Sequence, residues 1–153
     1  MRSLALFFAL SAAALAGPIA EVELTADPPG PRMHIHSARF SPAETRTYDE
    51  LIFSCSYRQT FRQPDGAGGL TNKVHTPGFP FEYREKQVRM VAGLDRYIAF
   101  RVPVNIEELR TQFGKTAFVT NAPATIASVT IRAMSGGKED WKFTLKPGDK
   151  LRP

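Results

Sequence analysis

Cysteine is almost missing from this sequence, since Cys55 is the only one among 153 residues. Two thiols are needed for a disulfide, so these residues cannot form one within the chain, and a folded domain has to rely on its hydrophobic core. Cys55 lies in an alternating run that places Leu51, Phe53 and Tyr57 on its own face. That pattern favours a buried, unreactive thiol over a catalytic nucleophile.

Sequence motifs of several common enzyme classes are missing as well. The sequence contains no Gly-x-Ser-x-Gly elbow of the kind that presents a nucleophilic serine. The run Gly66-Ala67-Gly68-Gly69 has neither the strand–helix setting of a dinucleotide-binding loop nor the Gly-Lys-Ser/Thr of a P-loop. No defensible catalytic residue set emerges, and we therefore expect a non-enzymatic protein.

Long runs of like charge are also missing, although the chain is basic overall. It has 20 Lys and Arg against 15 Asp and Glu, a net charge of +5. Because the cations are dispersed along the chain, this excess is typical of a solubilising surface and does not favour nucleic-acid binding. The charge pattern leaves a protein or a cell-envelope component as the expected partner.

A single long hydrophobic run is present, and it lies at the start of the chain. Residues 4–16 are apolar or small, follow Arg2 and end in Ala14-Leu15-Ala16, the layout of a cleavable signal peptide. A membrane-spanning helix needs about 20 apolar residues, so this run predicts no transmembrane span. We expect cleavage after Ala16, with Ala20 as the alternative, and export of a single domain, residues 17–153, to the periplasm or the extracellular space.

Alternation of apolar and polar residues dominates the rest of the sequence and predicts β-strands. It is clearest over residues 51–61 and also marks residues 21–26 and 33–40. Residues 87–102 are predicted to form a hairpin that turns at Gly93-Leu94-Asp95. A second hairpin is predicted over residues 127–145, where Gly136-Gly137 supplies the positive φ angles of a tight turn.

One short helix is predicted between these strands. Asn105 can cap it, Glu108 follows three residues later, and Gly114 suits the position after its last turn. A further strand is expected over residues 115–120. About seven short strands and one helix predict an antiparallel β-sandwich of immunoglobulin-like architecture, with a small β-barrel as the alternative.

Residues 62–80 match neither the strand nor the helix pattern. They are rich in glycine and proline, and long irregular connections in compact domains are often functional. The aromatic segment that follows contributes Phe79, Phe81, Tyr83 and Arg84, residue types that dominate binding hot spots. The first functional hypothesis is that residues 62–80 and this segment form a contact surface; a mobile hairpin loop and the edge of the core are the alternatives.

Two histidines suggest a second hypothesis. His34 and His36 lie two residues apart, so a strand directs both to the same face, as in half of a metal site. A copper or zinc ion would need a third ligand, for which His75 is the remaining histidine. The alternative is an exposed pair that binds no metal. The second hypothesis is therefore an exported copper- or zinc-binding protein.

Overall fold

The computed structural model describes residues 17–25, 33–103, 111, 114 and 124–152. These residues form nine strands: β1 (Ile19–Leu24), β2 (Met33–Pro42), β3 (Arg46–Pro64), β4 (Leu70–His75), β5 (Phe81–Met90), β6 (Arg96–Pro103), β7 (Ala124–Ser135), β8 (Lys138–Leu145) and β9 (Lys150–Leu151). The predicted strands near residues 21–26, 33–40 and 51–61 are confirmed as β1, β2 and part of β3.

The strands form two antiparallel sheets. The first has the order β6-β2-β1-β9, and the second has the order β4-β3-β7-β8 with β5 also paired to β3. The two sheets pack face to face without closing into a barrel, so the prediction of an antiparallel β-sandwich is confirmed and the barrel alternative is wrong. The predicted helix at 105–113 and strand at 115–120 fall outside the described residues, apart from Thr111, which is helical.

Aromatic rings join the two sheets across the core. The Phe53 ring of β3 stacks on the Phe100 ring of β6 at 5.1 Å, and meets the Phe40 ring of β2 edge-on at 6.4 Å. All three side chains are buried, because alternation directs every second residue of each strand inward. This cluster explains how a domain with one thiol is held together.

The predicted hairpin over residues 127–145 is confirmed. Strand β7 pairs with β8 from Val129↔Leu145 to Ser135↔Lys138. Gly136 and Gly137 have φ angles of 56° and 74°, which residues with a side chain rarely adopt. Two consecutive positive φ angles match the twist of the paired strands.

The predicted hairpin over residues 87–102 is wrong. Strand β5 pairs with β3 in the second sheet, whereas β6 pairs with β2 in the first. The expected turn is instead a corner between sheets, where Gly93 N–H donates to the Pro42 carbonyl at 3.1 Å. Both arms bury one face, and alternation alone does not say which strand each arm pairs with.

Ion pairs cover the outer face of the first sheet. The Arg39 guanidinium contacts three carboxylates, at 2.6 Å from Glu21, 2.7 Å from Glu23 and 2.9 Å from Asp95. Hydrogen bonds from Arg152, Lys150 and Arg39 lower the pKa of Glu21 to about 2. These contacts connect β1, β2 and the β9 end.

In the described part of the chain, no helix is long and apolar enough to cross a membrane.

Candidate functional site

About half of residues 62–80, all predicted as an irregular loop, form part of a β-ribbon. Residues 59–64 of β3 pair with β4 from Gln59↔His75 to Pro64↔Leu70, and we call these two segments the ribbon. Within the described residues, the pairing of β3 with β7 reaches Gln59↔Ala124, where the ribbon begins. The loop prediction was wrong because β4 is exposed along most of its length and so lacks an apolar–polar alternation.

The turn of the ribbon is ordered by Asp65. Its Oδ1 accepts hydrogen bonds from the backbone N–H groups of Ala67 and Gly69, both at 2.9 Å. The Asp65 N–H donates to the Gly69 carbonyl at 3.1 Å. A carboxylate that satisfies nearby backbone donors is typical of Asx-type turns. The ribbon therefore has a defined tip, which presents its two faces in fixed positions.

The outer face of the ribbon carries exposed apolar side chains. Residues paired across antiparallel strands lie on the same face, so Arg62 and Asn72 lie together, with Thr60↔Val74 and Pro64↔Leu70 on either side. Val74 is 61% exposed and Leu70 is 56% exposed. Among the described residues, no carboxylate forms an ion pair with Arg62. This face therefore combines apolar area with an exposed cation.

The inner face of the ribbon is buried at its base, where the ribbon joins the sheet. Phe61, Gln59 and His75 are at most 6% exposed. Among the described residues, neither the nitrogen nor the oxygen of the Gln59 side-chain amide has a hydrogen-bond partner. A buried amide without partners destabilises the fold. The two faces of the ribbon thus differ at its base, whereas Thr71 and Lys73, farther along the inner face, are exposed.

Residues 76–80 separate the ribbon from β5. The last pair of the ribbon at this end is Gln59↔His75, and the first pair of β5 with β3 is Cys55↔Phe81. Between these two pairs β3 spans four residues, whereas the segment from His75 to Phe81 spans six. The extra length places Phe79 outside both strands, and its side chain is 88% exposed. Phe79 therefore adds a large apolar group beside the ribbon.

The other candidate binding residues lie on β5. Phe81 and Tyr83 are half-buried and pack against the core, with the Tyr83 ring 5.9 Å from that of Phe53. Arg84 is held by Glu50 at 3.0 Å and Glu82 at 2.8 Å, and these carboxylates raise its pKa. In this arrangement Phe79 is the predicted contact residue with the greatest exposure.

The three histidines lie on two strands in different sheets. His34 and His36 are both in β2, where the register pairs them with Val102 and Phe100 of β6. His75 is in β4 of the second sheet, buried opposite Gln59. Among the residues whose side chains are described, no group of three His, Cys, Asp or Glu could hold a metal ion. Metal binding by His34 and His36 stays a prediction.

Cys55 is fully buried in the core, as its alternating neighbours predicted. Burial raises the pKa of the thiol to about 12 because the low-polarity interior disfavours the thiolate. Only the thiolate is a strong nucleophile, so Cys55 is inert at neutral pH.

The sequence matches no known protein family, and a search of curated proteins also finds no relative.

Proposed function

We propose that this chain is an exported, non-enzymatic β-sandwich domain that binds a protein or a cell-envelope component. The contact surface is the outer face of the ribbon together with Phe79. The observation that supports it best is the exposure of Leu70, Val74 and Phe79, each more than half exposed and all within ten residues of sequence. Exposed apolar groups set close together and bordered by polar residues are typical of interaction sites.

The chemistry of the surface suggests the chemistry of its partner. Arg62 lies between the two apolar pairs of the ribbon. An apolar surface with an acidic group at its centre would complement this arrangement. Aromatic and arginine side chains are the residue types that contribute most to binding energy. Phe79 and Arg62 are therefore the proposed anchors.

Contacts near the start of the described chain support cleavage after Ala16. The Pro18 carbonyl accepts a hydrogen bond from Ala43 N–H at 3.0 Å, and Ile19 is 1% exposed in the core. Cleavage after Ala20 would remove both groups. Mass spectrometry of the exported protein should find Gly17 as its first residue; a chain that begins at Glu21 would contradict this proposal.

Substitution of exposed residues tests the contact surface better than a deletion, because a deletion would remove paired strand β4. In the triple variant Leu70→Ser, Val74→Thr, Phe79→Ser we expect a normal fold. A photo-crosslinking residue placed at Asn72 should label a specific partner in whole cells, and the triple variant should lose that labelling.

The matched control removes exposed apolar groups elsewhere. Leu94 and Tyr97 are 64% and 65% exposed at the corner between the sheets. The double variant Leu94→Ser, Tyr97→Ser should keep the cross-link. Equal labelling in the triple and the double variant would overturn the assignment of the ribbon.

Copper or zinc binding is the second candidate function. It is favoured by the position of His34 and His36 two residues apart on one strand, β2. Titration of the purified protein with each ion should then give saturable binding that the variant His34→Ala, His36→Ala loses, whereas His75→Ala tests the third ligand. Equal binding by the wild type and the double variant would exclude this pair as the site.

A further inference from the structure

A shallow depression lies on the outer face of the second sheet, where β3 and β7 change register. Its volume is about 270 Å³, and it is lined by Arg58, Thr125, Ile126, Ala127 and Lys146. We propose that this depression binds a phosphate group carrying two negative charges. The inference does not depend on the ribbon binding a partner, since none of the residues that line the depression belongs to that contact surface.

A β-bulge creates the depression. Ser56 pairs with Ser128, but the next residue of β3, Tyr57, pairs with Ile126, so Ala127 is an extra residue on β7. Bulges bend a strand locally and redirect its side chains, and they often occur beside functional sites. The bulge lies beside Arg58↔Thr125, and both residues line the depression.

The end of β8 supplies the second cation. Strand β8 ends at Leu145, and a turn holds the next residue in place: Lys146 N–H donates to Asp149 Oδ2 at 2.8 Å, and Asp149 N–H donates to the Lys146 carbonyl at 2.9 Å. The backbone of Lys146 is therefore fixed beside the bulge. Lys146 lines the depression together with Arg58, and the described lining residues include no carboxylate.

The two cations lack partners within the described chain. Arg58 and Lys146 are exposed, and neither forms an ion pair among the residues that the structure describes. By contrast, Arg39, Arg46, Arg84 and Arg132 each have a carboxylate within 4 Å. Two unpaired cations at one depression repel each other, and an anion bound between them would relieve that repulsion.

The donors and the size of the depression define the ligand class. Arginine provides a planar fork of N–H donors, lysine a mobile ammonium and threonine a hydroxyl, a set that suits the acceptor oxygens of phosphate. Pockets for whole drug-sized ligands usually measure about 300–1,000 Å³. A depression of 270 Å³ therefore suits a single charged group, such as inorganic phosphate or the phosphate end of a larger molecule.

NMR titration with inorganic phosphate tests the proposal, with sodium chloride at matched ionic strength as the reference. Saturable shifts of the backbone amides at Thr125, Ile126 and Ala127 are expected with phosphate and not with chloride. The variant Arg58→Gln, Lys146→Gln should weaken the apparent affinity by about tenfold or more. Shifts that never saturate, or that chloride reproduces, would overturn the proposal.

A charge-matched control separates the site from the overall basic charge. The variant Arg89→Gln, Lys142→Gln removes one arginine and one lysine from exposed positions elsewhere on the domain. It should bind phosphate as the wild type does. Equal weakening by the two double variants would show that only net charge matters and would contradict a defined site.

Vesicles distinguish the two sources of the phosphate group. Phosphatidylcholine vesicles with and without phosphatidic acid present the same group on a membrane surface. Cosedimentation that needs phosphatidic acid, Arg58 and Lys146 would assign a lipid headgroup. Binding of inorganic phosphate without cosedimentation would assign a soluble phosphate, and binding of neither contradicts the proposal.

Discussion

The two halves of β3 lie in different surroundings, although they belong to one continuous strand. Over residues 46–55 it is flanked by β5, and from Glu50 onward also by β7. On the outer face of this half, Glu82 bridges three strands: it accepts hydrogen bonds from Ser54 at 3.2 Å, Arg132 at 3.2 Å and Arg84 at 2.8 Å. Here each of these charges has a partner within the sheet.

The second half, residues 57–64, lacks such partners on its outer face. Arg58 and Arg62 form no ion pair among the described residues, and Leu70 and Val74 are exposed beside them. Charges paired inside the sheet hold strands together, whereas unpaired charges beside exposed apolar groups are available to other molecules. The comparison therefore separates a half of β3 whose outer charges are paired within the sheet from a half that carries part of the proposed contact surface.

The largest expected effect comes from the first half of β3. Phe53→Ala removes a fully buried ring that contacts the Phe40, Phe100 and Tyr83 rings. Truncation of a buried phenylalanine typically destabilises a domain by about 3–5 kcal/mol, through lost burial and the cavity that remains. Denaturant unfolding followed by the fluorescence of Trp141 measures the loss.

Phe79→Ala is the matched control, because it removes the same ring from an 88% exposed position. We expect it to change the free energy of unfolding by less than about 0.5 kcal/mol. A similar loss for Phe53→Ala and Phe79→Ala would contradict the division between core and contact surface.

An intermediate effect, of opposite sign, is expected on the inner face of the second half. Gln59→Leu replaces a fully buried amide, for which the described part of the chain offers no hydrogen-bond partner, with an apolar group of similar size. Because the desolvation cost of the amide disappears, we expect the free energy of unfolding to rise by about 1–2 kcal/mol. Thr60→Val, on the exposed face, should leave it unchanged, and a destabilised Gln59→Leu would show that the amide is needed.

Alternation allowed the core strands to be predicted from sequence, whereas two features escaped it. Leu51, Phe53 and Cys55 bury one face of β3, so their spacing reports directly on the fold. Strand β4 has Leu70 and Val74 exposed, and therefore gives no such pattern. The predicted hairpin over residues 87–102 was also wrong. Strands β5 and β6 both bury one face in the same core, but they belong to opposite sheets.

The candidate sites were harder to predict than the fold. Exposure of Phe79 depends on where β5 begins, which its sequence spacing from Phe81 does not reveal. Neither Arg58 nor Lys146 belongs to a recognisable motif, and they come together only through a bulge and the end of β8. Sites built from distant residues leave no local signal in one sequence.

The smallest effect is expected for Glu82→Gln, on the ion-paired outer face. The carboxylate is partly exposed, so its ion pairs should contribute less than about 1 kcal/mol. Hydrogen bonding from Arg84 lowers the pKa of Glu82 below its ordinary 4.5. The stabilisation is therefore complete above pH 4.5 and is lost as the pH falls through the lowered value.

Unfolding curves of the wild type and Glu82→Gln should thus differ at neutral pH and converge in acid. The variant Arg62→Gln should match the wild type in stability at every pH, since this cation forms no ion pair in the described structure. If the free energies of unfolding of the wild type and Glu82→Gln differ by the same amount at neutral and at acidic pH, this account of the ion-paired half is wrong.

The interruption at residues 76–80 has a consequence for self-association. Strands β4 and β5 follow each other along the same side of β3, and uninterrupted they would form one long edge. Long free edges can recruit strands from other chains and so begin aggregation. Pro77 and Pro80 have no N–H to donate to an added strand, and the extra residues displace the chain from the sheet. The segment that exposes Phe79 thus also divides this edge, so that an added strand cannot pair continuously along both β4 and β5.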